Sequence, residues 1–111
     1  MAYLDWRTSF ARLGEELARA LPIRYTRRST RMYLPLNGRH EMVEIFGTIS
    51  LPITIGPDTK AVIFNVVPGS ELFLGSNAIT DFKLSLNLGT RTVSDVNHEV
   101  VSRLPFPRYS L

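Results

Sequence analysis

Between Glu41 and Thr92 the chain alternates short, β-rich apolar runs with residues that force a turn, and this punctuation leaves little room for anything but stacked strands. The runs are Met42–Phe46, Ile49–Ile55, Ala61–Val67 and Leu72–Leu74, separated by Gly47, Gly56–Pro57 and Pro68–Gly69. Valine, isoleucine and phenylalanine suit a pleated surface, whereas Gly and Pro mark places where a strand must stop. A fifth run, Leu84–Leu88, closes on Gly89 before Arg91–Val93. The fold class this predicts is mainly β, with a compact antiparallel core.

The flanks read differently. Phe10, Leu13, Leu17 and Leu21 recur at spacings of three and four, which predicts a helix over Asp5–Leu21 with Arg7, Arg12, Glu15, Glu16 and Arg19 largely on its other faces. Asp5 or Thr8–Ser9 can cap its start, and Pro22 ends it by pushing Leu21 out of the α region. Gly14 inside the pattern costs about 1 kcal/mol relative to alanine and marks a weak turn or a close packing contact. Trp6 near the start is an anchor for packing. Ile23–Tyr33 is expected to be extended with a wet face, and Asn37–Gly38 between apolar flanks is a hairpin signal because both residues tolerate positive φ. Ser94–Leu104 predicts a short second helix, capped by Ser94 or Asp95, with Val96, Val100 and Leu104 on one side.

With 111 residues, 44% hydrophobic and 21% charged, the chain has ordinary globular composition and is expected to form one domain. Its parts are a helical segment at 1–22, a β core at 23–93, and a helix with an extended tail at 94–111. The absence of cysteine removes disulfides, thiolate metal sites and cysteine nucleophiles, and suits an intracellular location in cytoplasm or nucleus. No run approaches the roughly 20 apolar residues of a membrane span, and Met1–Asp5 lacks the character of a signal peptide. His40 and His98 read as loop histidines, and Gly69, Gly75 and Gly89 make no phosphate cradle, so neither a metal nor a cofactor is expected.

The net charge of +3 is unevenly spread: residues 1–41 carry eight arginines against four acidic groups, while the remainder carries five basic against six acidic. Arg24, Arg27, Arg28 and Arg31 form a cluster able to neutralise phosphates or grip carboxylates. Only Tyr25 and Tyr33 interleave with them, so a solvated surface with at most weak nucleic-acid affinity is the simpler expectation.

In order and spacing, several stretches resemble the retropepsin-like aspartic proteases of retroviruses, retrotransposons and cellular ubiquitin-receptor proteins. Leu72-Phe73-Leu74-Gly75-Ser76-Asn77-Ala78-Ile79 looks like the family's late motif of two hydrophobic residues, Leu-Gly-x-Asp-x-Leu. Gly47–Gly56 and Val62–Val67 are similar to the strands after the flap, and Asn37–Gly38 falls where the flap hairpin belongs. The resemblance covers about residues 2–93 and implies a small, closed, barrel-like protomer that completes its cleft in a homodimer. It places Asp5 at the catalytic aspartate.

At that position the pattern departs from the family. Where the family has Asp-Thr/Ser-Gly, this chain has Asp5-Trp6-Arg7. The mechanism needs two carboxylates that share one proton, and a cation beside them favours two ionised groups instead. Asp5 is therefore either a relic of that site or a helix cap. The leading expectation is a catalytically inactive module, of retroelement ancestry if the resemblance is descent, that forms homodimers and holds extended peptides. The alternatives are an active, homodimeric aspartic endopeptidase and a nucleic-acid-associated protein acting through the basic cluster. Dimer contacts are expected at Phe10, Leu13 and Leu17 and, in the C-terminal segment, at Val100.

Overall fold

Alternation decides the longest elements. Ile49 and Leu51 are buried while Thr48, Ser50, Pro52 and Thr54 between them are exposed, as a strand with one face on a core requires. The computed structural model describes residues 2–5, 8–22, 24–36 and 39–103. Its elements in chain order are β1 (Ala2–Asp5), β2 (Ala11–Gly14), α1 (Glu15–Ala20), β3 (Thr30–Leu36), β4 (Arg39–Ile45), β5 (Gly47–Ile55), β6 (Asp58–Val67), β7 (Leu72–Gly75), α2 (Asn77–Asp81), β8 (Ser85–Asn87), β9 (Thr92–Ser94) and β10 (Val100–Arg103).

The strands form a five-stranded sheet in the order β1-β7-β2-β6-β5, a three-stranded sheet β10-β9-β8 and the hairpin β3-β4. Mainly β is thus correct, but the sheets do not close into a barrel, and the large sheet is mixed. β1 runs parallel to β7 and β2 parallel to β6, whereas β2 is antiparallel to β7 and β5 to β6. Parallel neighbours need long crossovers, so the chain must leave this sheet and return to it.

The expected helix over Asp5–Leu21 forms only in its last third. All four residues of β2 are buried, because the strand sits between β7 and β6. An interior strand reads as a short continuous apolar run, and here its Leu13 happens to fall on a helical spacing with Phe10 and Leu17. Asp5 ends a strand, so it caps no helix; α1 starts instead at Glu15, with Gly14 as a cap that offers no side chain. Pro22 does end the helix, with Leu21 already extended at ψ 148°.

The second expected helix, Ser94–Leu104, is also replaced. Asp95, buried, accepts the backbone N–H groups of Asn97 at 2.8 Å and Glu99 at 3.0 Å, and so folds a tight turn between β9 and β10. Short polar side chains that bind nearby backbone compete with helix in this way. A helix missed by periodicity, α2, begins within the late motif, at Asn77. β3 begins only at Thr30, and Arg24–Ser29 is irregular.

Two larger buried clusters hold these layers together, beside a small one of Ile45 and Val67. One face of the large sheet packs Leu13, Ile49, Leu51, Phe64 and Val66 against Ala18 of α1, with Leu17 partly buried alongside. The second gathers Leu4, Ala78, Phe82, Leu84 and Val93 between β1, α2 and the three-stranded sheet.

Candidate functional site

The site is built where two strand ends meet. In the parallel pair β1–β7, Leu4 lies opposite Leu74 and Asp5 opposite Gly75. The chain then returns past its own neighbour: Thr8 is fully buried, and its carbonyl accepts the Ser76 N–H at 2.7 Å. A Cβ on Gly75 would stand 2.6 Å from the Thr8 carbonyl oxygen and closer still to the Ser9 backbone. Glycine is required there because two backbones share the space. The backbone of Asp5 is thereby fixed at this crossing. Trp6 and Arg7 lie outside the described residues.

Beside the crossing is a cavity of about 420 Å³ lined by Ser9, Phe10, Gly75, Asn77 and Asp81, among others. On the sheet face away from Leu13, buried Arg12 on β2 lies opposite buried Phe73 on β7, its guanidinium 4.4 Å from the ring centroid. The hairpin β3–β4 pairs Leu36 with Arg39, and Asn37 and Gly38, the expected turn between them, lie outside the described residues. On that hairpin Met32, Tyr33 and Met42 are exposed.

A second construction was not foreseen. Glu15, buried at the start of α1, accepts hydrogen bonds from Arg27 Nε at 2.8 Å, Tyr25 Oη at 3.1 Å and Arg19 at 3.1 Å. The Arg27 guanidinium also stacks on Phe46, 4.2 Å from the ring centroid. The Arg27 hydrogen bond, helped by Tyr25 and by the charges of Arg19 and Arg27, lowers the Glu15 pKa from 4.5 against the opposing effect of burial. Burial and the bond to Glu15 push the Tyr25 phenol up. The i,i+4 spacing of Glu15 and Arg19 was legible, but the partners from the irregular segment were not. Because the Glu15 pKa is depressed on folding, its contribution to stability is present above pH 4.5 and drains away as pH falls through the lower folded value. Glu15→Gln is therefore expected to flatten the acid limb of melting temperature against pH. Superimposable profiles for the two proteins would contradict this clamp.

The remaining expected site residues are scattered. Arg27 is committed to Glu15, whereas Arg24 and Arg28 line an open groove of about 710 Å³ at the base of the hairpin. Arg31 lies on β3 opposite Glu44. Leu13, expected at a dimer contact, is 1% exposed inside the protomer's own core, so it is not available to a partner; Phe10 is 42% exposed and Val100, on β10, 60%. His40 on β4 and His98 in the Asp95 turn are exposed, and among the described residues no group of acidic or histidine side chains could hold a metal ion.

The mixed sheet with its parallel β1–β7 crossing, the separate hairpin and the helix after β7 define a retropepsin-like fold. Among solved structures, the chain is similar to the retroviral protease-like domain of Ddi1 from Leishmania major, with a TM-score of 0.63 and 15% sequence identity over 94% of this chain and 79% of that one. No family model and no curated protein matches the sequence.

Proposed function

We propose that this chain is a catalytically silent retropepsin-like module that self-associates and holds extended peptides. The observation that carries the reading is the register of β1 on β7, which sets Asp5 beside Gly75 while the two residues after it are Trp6 and Arg7. A dyad of shared-proton carboxylates depends on close backbone approach and on one protonated acid. An indole and a guanidinium following Asp5 oppose both. The peptide-holding part rests on the hairpin, whose Met32, Tyr33 and Met42 are exposed and unclaimed by the two cores. Self-association rests on Val100 and Val101 of β10, both exposed at the end of the small sheet.

The same register also favours a second reading, an active endopeptidase, because Asp5 sits at the crossing at all. One experiment separates them: incubation with a peptide library from acidic to neutral pH, beside Asp5→Asn, with the mass of the same samples followed by sedimentation across concentration. The expected result is no cleavage above the Asp5→Asn background, and a dimer. Cleavage abolished by Asp5→Asn establishes the endopeptidase reading, and a monomer at high micromolar concentration removes self-association.

A further inference from the structure

The groove beneath the hairpin has features of its own. The irregular segment that forms one wall is held rigidly: Tyr25 and Arg27 bind Glu15, and the Arg28 N–H donates to the Phe46 carbonyl at 2.8 Å. It lies so close to β5 that a Cβ on Gly47 would meet the Tyr25 ring at 2.9 Å and the Thr26 carbonyl at 3.0 Å. Arg24 and Arg28 are exposed on this wall, and among the described residues neither forms an ion pair and no acidic side chain lines the groove. Their charges are thus uncompensated, on a wall whose backbone is already held in place, which lowers the ordering cost of binding an anion.

The other wall is an open strand. Among the described residues, β5 ends the five-stranded sheet and pairs only with β6. Pro52, which has no N–H, is tolerated in β5 because its nitrogen points away from β6. By the two-residue repeat, the N–H and carbonyl groups of Thr48 and Ser50 then point outward as well, into the groove their side chains line together with Thr30 and Asn65.

We propose that an acidic, extended peptide docks here as an added strand on β5, with its carboxylates gripped by Arg24 and Arg28. Main-chain bonds to Thr48 and Ser50 supply the ladder, and alternate side chains of the added strand meet the arginines. Carboxylate–guanidinium bonds are charge-assisted and geometrically selective. A nucleic acid fits this groove less well, since single strands require accessible rings on which bases stack, and among the described residues the one aromatic lining it, Tyr25, is half-buried and bound to Glu15. The site lies at the sheet edge and not at the Asp5 crossing, so it stands whether or not the chain cleaves peptides.

The probe is a labelled peptide of alternating glutamate and valine, titrated at physiological salt beside its glutamine counterpart and an oligothymidylate. The acidic peptide is expected to bind about tenfold more tightly than the glutamine version, and Arg24→Gln/Arg28→Gln to remove that margin. Arg39→Gln, which breaks the surface pair with Glu41, serves as the charge control and leaves binding intact. Urea unfolding of each variant confirms that the fold is unchanged, and amide exchange is expected to slow at Thr48 and Ser50 when peptide is added. Equal affinity for the glutamine peptide, no binding, tighter binding of oligothymidylate, or protection confined to other amides overturns the proposal.

Discussion

Gly75→Ala is expected to destabilise the protein by about 3 kcal/mol, at or beyond the upper end of what overpacking usually costs. One methyl group does this because its neighbours are the Thr8 and Ser9 backbones, which cannot swing aside as a flexible side chain would. Relief requires the return loop to lift away, which breaks the bond from the Ser76 N–H to the Thr8 carbonyl and re-exposes Thr8. Domains of this kind are stable by only about 5–15 kcal/mol, so the loss is a large fraction of the whole. Urea unfolding measures it directly. A midpoint unchanged from wild type means that Thr8–Ser9 does not press on Gly75, and the placement of Asp5 falls with it.

Phe64→Ala is expected to cost about 3–5 kcal/mol, the range for truncating a buried phenylalanine. Phe64 is wholly buried, and it lies opposite both Ala11 of β2 and Ile49 of β5, so one ring fills the space where a parallel and an antiparallel neighbour meet. The flanking residues are backbone-paired on both sides and have little freedom to collapse into the void. The check is again the denaturant midpoint, with an unchanged slope showing that the unfolding transition exposes the same surface. A loss below about 1 kcal/mol would mean that Phe64 is not a central packing residue.

What could be read from the sequence was what repeats locally. The alternation in Ile49–Ile55, the Gly and Pro breaks around it and the Asn37–Gly38 signal located β4 through β7, because each depends on neighbours a few residues away. Two helices were misread for complementary reasons. Leu13 belongs to a strand enclosed on both edges, whose burial leaves no alternation to see. The residues after Ser94 do have helical spacing, but Asp95 offers their backbone a closer partner. For the candidate site, the late motif drew attention to the stretch around Gly75, yet nothing local could say that Asp5 lies opposite it, since that pairing spans most of the chain. The clamp on Glu15 was hidden similarly: Tyr25 and Arg27 reach it from beyond Pro22.

That long-range pairing sets the order in which the protein can assemble. β1 leaves the ribosome before β2 to β6, and its partner β7 follows only after all of them have been made, a delay on the order of seconds at about 5–20 residues per second. The hairpins β3–β4 and β5–β6 join sequence neighbours and can close in microseconds. β1 must therefore wait unpaired beside structure already formed, and contacts of such sequence separation are the slow ones in folding. The crossing that fixes Asp5 accordingly forms later during synthesis than the hairpins β3–β4 and β5–β6, and a nascent chain that has not reached Gly75 has no such site.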